Sequence, residues 1–119
     1  NRFTKYFSDS VKIPPFANMV FSEEEIETNL KNSPELTFPL GFSCKEAFFK
    51  ALGVSWTNSK LSWKNIELLF VNKENIKEYS IRLNGYAKEL IEIKNCTEIQ
   101  SSFEYTNTYI VFKVILLSN

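Results

Sequence analysis

The chain has no histidine, one aspartate (Asp9), one methionine (Met19), three glycines and two cysteines among its 119 residues. Without histidine, Ser-His-Asp and Cys-His catalysis are excluded, and so are histidine-ligated zinc and haem sites. Cys44 and Cys96 stand far apart with no CxxC spacing and cannot make a zinc site. Each sits beside apolar residues, which predicts buried reduced thiols and favours a reducing compartment. A surplus of either charge is missing too: fourteen basic residues balance fourteen acidic ones. A general nucleic-acid binder needs a basic surplus, so no nucleic-acid partner is expected. No apolar run reaches the roughly 18 residues of a membrane span. The longest, Tyr109 to Leu117, is broken by Lys113 and reads as a buried strand. The sequon Asn95-Cys96-Thr97 is of a kind common by chance and carries little weight.

What is present describes one domain spanning residues 1–119. A chain of this length buries roughly two-thirds of its unfolded surface and holds a core without disulfides or metal. Its 44% hydrophobic and 24% charged residues exclude a disordered tail and a disulfide-dense scaffold. Asn1 to Phe7 reads as the tail of a helix, stopped by Pro14-Pro15. Ser22-Glu23-Glu24-Glu25 is a capping box, opening a helix that runs to about Leu30 and ends before Ser33-Pro34. From about Leu40 to Leu52, Cys44, Ala47, Phe48, Ala51 and Leu52 recur at helical spacing, and Gly53 caps the end. The opposite face carries Lys45, Glu46, Phe49 and Lys50, with Gly41 in the first turn. Trp56 to Lys60 is a loop. Ile66 to Val71 and Tyr79 to Leu83 are strands joined by a polar turn. Asn84 caps a helix through Ile91, and strands near Glu98 to Tyr105 and Tyr109 to Leu117 close the chain. Helices segregated against a largely antiparallel sheet define an α+β domain.

Glu46 and Lys50 lie four apart and share a helix face, which by spacing alone is a surface ion pair of a few tenths of a kcal/mol. The alternative chemistry is a carboxylate for a hard cation and ammoniums for phosphate. Magnesium takes one or two carboxylates and fills its other positions with water and substrate phosphate, and lysine serves phosphate as a point charge.

The wider context favours that chemistry. Phe42-Ser43-Cys44-Lys45-Glu46-Ala47-Phe48-Phe49-Lys50-Ala51-Leu52-Gly53 resembles the signature helix of the 4'-phosphopantetheinyl transferases, of the small holo-(acyl-carrier-protein) synthase type. Four further segments are similar to that family in the same order: Asn1-Arg2-Phe3, Val20 to Ile26, Leu61 to Leu68 and Leu83 to Ala87. The resemblance implies the family's α+β fold and the transfer of phosphopantetheine from coenzyme A to a serine of an acyl-carrier protein, with magnesium as cofactor and 3',5'-ADP leaving. It implies Glu46 as metal ligand and catalytic carboxylate, Lys50 as catalytic and phosphate-binding, and Lys45 as a second neutraliser of phosphate. It places Arg2 against the carrier protein, Ser102 and Tyr105 in the stretch lining the cofactor site, and the chain in a homotrimer with coenzyme A between subunits.

The chain departs from the family pattern in several places. The family's opening Gly-Ile-Asp strand, whose aspartate is the second metal carboxylate, would stand before Asn1. Asp9 lies too far along to replace it. Tyr105 stands for the family's histidine, Glu104 for its second serine and Gly41 for a frequent arginine. A catalytically silent relative, keeping the fold as a carrier-binding or structural subunit, is therefore the alternative. An unrelated α+β interaction domain fits the composition equally but leaves the five ordered matches unexplained. A bacterial cytoplasm is the expected compartment, with a plastid-like or mitochondrial matrix as the alternative.

Overall fold

The computed structural model describes residues 17–53, 61–72, 74–106 and 108–118. The segment Asn1 to Phe7 with Arg2, Asp9, the Pro14-Pro15 stop and the loop expected at Trp56 to Lys60 lie outside the described residues. In order come α1 (Ala17–Val20), α2 (Glu23–Lys31), α3 (Pro34–Leu52), a 3₁₀ turn (Trp63–Asn65), β1 (Ile66–Phe70), β2 (Tyr79–Leu83), α4 (Gly85–Ile93), β3 (Cys96–Tyr105) and β4 (Ile110–Ser118). The class is α+β, as expected. Among the described residues the strands form two antiparallel hairpins, β1–β2 and β3–β4. Lys77 Nζ donates to the Phe103 carbonyl at 2.6 Å, and the Tyr79 and Ser101 hydroxyls meet at 2.8 Å, tying one hairpin to the other.

The α2 capping box forms as its spacing predicts: Ser22 Oγ accepts from the Glu25 amide, and Glu25 reaches back to the Ser22 amide. Helix α3 differs from expectation. It begins at Pro34, a full turn and more before Leu40, and carries Pro39 inside it. An interior proline lacks an amide hydrogen and crowds the preceding turn, at about 3 kcal/mol. Packing offsets that cost, since Thr37, Phe38, Pro39 and Leu40 are all buried and Thr37 Oγ1 donates to the Asn29 carbonyl of α2. Gly41 is thus mid-helix rather than in the first turn. A Cβ there would stand 3.0 Å from the Phe21 ring, so the missing side chain is the space into which Phe21 packs.

Two other expectations are corrected. Strand β4 is not buried along its length: Ile110 and Phe112 are, but Val111, Ile115 and Leu117 are exposed. Asn84 holds the N-cap position of α4 without a side-chain cap bond. Its side-chain nitrogen donates instead to the Glu67 carboxylate at 2.7 Å, and its side-chain oxygen, the atom that would cap the helix, accepts from Asn65 Nδ2 at 3.1 Å.

The principal core joins α3 to β1 and to the inner face of β3–β4, through Leu40, Cys44, Phe48, Phe49, Ile66, Leu68, Phe70, Phe103 and Phe112. At its edge lies an internal ion pair. Lys45 and Glu25 both have fully buried side chains, 2.9 Å apart. Lys45 Nζ also donates to the carbonyls of Trp63, at 2.8 Å, and Ile66. Glu25 accepts from the Leu68 amide at 3.1 Å. One lysine thereby ties α2, α3, the 3₁₀ turn and β1 together. Burial pushes the Lys45 ammonium below its ordinary range against the opposing charge of Glu25, and it pushes the Glu25 carboxyl up against the pull of Lys45. For each partner desolvation outweighs pairing, so the pair specifies how the elements meet more than it adds stability.

Outside that pair, Glu67, the one charge within β1, is nearly buried and accepts from Arg82 at 2.6 Å and from Ser22 at 2.9 Å. Arg82 also meets Glu24 at 2.9 Å. Burial raises the Glu67 carboxyl, but the bonds from Arg82 and Ser22 and the charges of Arg82 and Lys45 together hold it below its ordinary value of 4.5.

Two outcomes follow. Lys45→Met, which strands a buried carboxylate and two carbonyls, should lower stability by roughly 3–5 kcal/mol in urea titration. Adding Glu25→Gln should recover part of that loss, because the unpaired charge is gone; additive losses would contradict the pairing. Because the folded Glu67 carboxyl is held low, its pairing stabilises the chain above pH 4.5 and the contribution disappears as pH falls through the folded value. Arg82→Gln should move the Glu67 titration upward, followed by carboxyl ¹³C NMR, and flatten that part of the stability profile.

Candidate active site

The face of α3 opposite its core contacts carries Ser43, Glu46, Ala47, Lys50 and Ala51. Their spacing of three and four residues is one continuous helical stripe. It forms one wall of an open groove of about 670 Å³, and the other wall is Ile110 to Ile115 of β4. Six consecutive strand residues line a groove only along a strand edge, where side chains of both faces and the backbone are reached together. Among the described residues β4 pairs with β3 alone, so this is its unpaired edge. The small side chains of Ser43, Ala47 and Ala51 leave the space between the two walls unfilled. Glu46 is half-buried and Lys50 exposed.

The structure therefore brings Glu46 and Lys50 together in one groove. Lys45 is corrected. It is fully buried, points into the core and has its three donor positions filled by Glu25 and two carbonyls, so it does not face a phosphate in that groove. The helix period explains the split, since adjacent residues point roughly 100° apart. Phe49, expected on the polar face, is buried against Trp63, with ring centroids 4.7 Å apart. Trp63 stacks in turn on Phe42 at 4.9 Å, an aromatic cluster with no helical or strand period to announce it.

Ser102 and Tyr105 are not brought together. Side chains alternate along a strand, and an odd separation sends them to opposite faces. Ser102 is exposed on the outer face, opposite Lys113 in register, and lines a smaller groove of about 250 Å³ with Gln100, Ser101, Lys113 and Ile115. Tyr105 ends the strand on the inner side, its ring 6.3 Å from that of Phe103. Glu104 is exposed on the outer face of β3, opposite Val111, and does not line the main groove. Both cysteines are free thiols; Cys44 is buried and Cys96 half-buried. Burial pushes the Cys44 thiol far up, which removes it as a nucleophile.

No cluster of three or more cysteine, aspartate or glutamate side chains able to hold a metal occurs among the described residues. Among the described residues, Glu46 is the one carboxylate lining the groove. That donor set fits magnesium, which is satisfied by one carboxylate when water and substrate phosphate supply the remaining oxygens. It does not fit zinc. No helix of the described residues is long and apolar enough to cross a membrane.

Residues 5–109 match the model of the 4'-phosphopantetheinyl transferase superfamily. Among curated proteins, the chain is 33% identical to a holo-[acyl-carrier-protein] synthase of Chloroherpeton thalassium, over 85% of this chain and 78% of that one. It is 32% identical to a holo-[acyl-carrier-protein] synthase of a Thermoanaerobacter species, over 92% of this chain and 75% of that one. It is also 31% identical to the fatty acid synthase subunit alpha of Saccharomyces cerevisiae, over 82% of this chain but 5% of that much longer protein. With an α+β fold, a signature helix whose Glu46 and Lys50 face one groove, and a family match over most of its length, the chain belongs to the 4'-phosphopantetheinyl transferase superfamily.

Proposed function

We propose that the chain transfers the 4'-phosphopantetheine arm of coenzyme A to a serine of an acyl-carrier protein. The observation that carries this reading is the joint placement of Glu46 and Lys50 on one groove wall in a member of this superfamily. In the reaction, the serine hydroxyl oxygen forms a bond to the β-phosphorus. The bond from that phosphorus to the bridging oxygen of the diphosphate breaks, and 3',5'-ADP leaves with the bonding electrons. Phosphoryl transfer of this kind is accelerated mainly by positioning and by neutralising charge. Lys50 would hold charge on the transferred phosphate and leaving group. Glu46 would take the hydroxyl proton and would also hold magnesium. Bound magnesium would neutralise charge on the diphosphate.

The names of the matching relatives point to carriers of fatty-acid synthesis as the partner class. A homotrimer would cover the exposed apolar side chains of Val111, Ile115 and Leu117 on the outer face of β4. The silent-relative alternative keeps its motive in the histidine and serine replaced by Tyr105 and Glu104.

Incubated with coenzyme A, magnesium and an apo carrier protein, the chain should add the mass of the arm to the carrier. Glu46→Gln should abolish the addition without altering the circular dichroism. Lys50→Ala should lower kcat by about 10²–10³-fold, the loss typical of one charge-stabilising donor. A carrier left unmodified by the wild type, with a competent transferase as control, would favour the silent relative. Undiminished transfer by Glu46→Gln would remove Glu46 from the site.

A further inference from the structure

Glu46 is flanked on α3 by two aromatic side chains, Phe42 four residues before it and Phe49 three residues after it. On a helix surface residues at those spacings are neighbours, so the two rings bracket the turn that carries Glu46. A third ring closes the bracket. Trp63 of the 3₁₀ turn stacks on Phe42 with centroids 4.9 Å apart and meets Phe49 at 4.7 Å. A ring in contact with both spans that turn from outside the helix. Trp63 is itself held at its backbone, where its carbonyl accepts from Lys45 Nζ at 2.8 Å. Its turn is closed by the Ser62 amide donating to Asn65 Oδ1 at 2.9 Å and the Lys64 amide donating to Ser62 Oγ at 3.2 Å. Its side chain packs against both the principal core and the smaller cluster built from Ala17, Val20, Phe21, Ile26 and Phe38. Among the described residues, Phe42, Phe49 and Trp63 take no part in lining the groove. The aromatic group therefore backs Glu46 without touching what the groove holds.

We infer that Trp63 is a positioning residue for the transfer, fixing the Glu46 carboxylate against the groove through Phe42 and Phe49. The inference rests on the transferase reading for the reaction and on the ring contacts for the residue. Lys45 sets the rotation of α3 as a whole, whereas Trp63 closes the side on which the Glu46 side chain could fold away from the groove. A rigid aromatic wall leaves a flexible glutamate fewer rotamers, so more of its time is spent in the reactive geometry. Coenzyme A does not meet that wall, so removing it lowers kcat and spares KM.

The test has two arms. In the kinetic arm, Trp63→Leu should lower kcat about ten- to a hundredfold, up to the loss that a misplacement of about 1 Å brings, with KM for coenzyme A within about twofold. Trp63→Phe should recover most of kcat. Phe42→Leu removes a half-buried end of the bracket and keeps Trp63, and it should lower kcat by a smaller factor. Phe70→Leu, a buried ring of β1 outside the bracket, should cost stability in urea and leave kcat within about twofold. In the second arm, the order of the Glu46 γ-methylene is measured by ¹³C relaxation without coenzyme A or carrier protein. It should fall in Trp63→Leu, return in Trp63→Phe and keep its wild-type value in Phe70→Leu. If Trp63→Leu does not fold, Phe42→Leu serves both arms. Active wild type with unchanged kcat in the folded bracket variant, or an equal loss in Phe70→Leu, overturns the inference alone. Unchanged Glu46 order in that variant overturns it whatever the activity. An inactive wild type whose Glu46 order still falls with the bracket overturns the transferase reading and leaves the positioning contact standing.

Discussion

The buried ion pair between Lys45 and Glu25 is the constraint on which the rest of the molecule depends. Its geometry is demanding, because a charge taken out of water must have every donor and acceptor met. Lys45 meets that demand with one carboxylate oxygen and two carbonyls, contributed by α2, the 3₁₀ turn and the start of β1. Such a set of partners leaves α3 little freedom to rotate about its axis. Once Lys45 is fixed inward, Glu46 and Lys50 are fixed outward, toward the edge of β4. The residue that orients the site is thus adjacent in sequence to the residue that faces substrate, but on a different side of the helix.

Helix α3 therefore serves two surfaces at once. Cys44, Phe48 and Leu52 build the core, while Ser43, Glu46, Ala47, Lys50 and Ala51 form the groove wall. The charge balance of the whole chain conceals this division. A net charge of zero coexists with a groove whose lining, among the described residues, holds two lysines and one glutamate. The local excess, rather than the total, decides what the groove attracts.

Local signals in the sequence were legible where the physics is local. The Ser22–Glu25 capping box, the helical repeat ending at Gly53 and the β1–β2 hairpin all stand where spacing places them. The start of α3 was not, because Pro39 signals a break and only the burial of its neighbours keeps the helix intact. The fate of Lys45 was hidden for a related reason. Glu25 is 20 residues away, and neither residue's own periodicity marks the pairing. Asn84 reads as a helix cap until Asn65, 19 residues earlier, takes its side-chain oxygen. Glu46 and Lys50 could be picked out from the signature helix, whereas Lys113 reads only as an interruption in an apolar run. Its place at the groove arises from the docking of β4 against α3, which no short window of sequence contains.

The division of α3 into an internal and an external lysine can be measured directly. Native protein is treated briefly with an amine-acylating reagent, digested, and the modified lysines are counted by mass spectrometry, with a urea-unfolded sample as reference. Lys50 should be modified in the native protein to nearly the extent seen in the unfolded one, while Lys45 should remain unmodified until the chain unfolds. Equal labelling of Lys45 and Lys50 in the native state would contradict the internal pair and, with it, the orientation of the site.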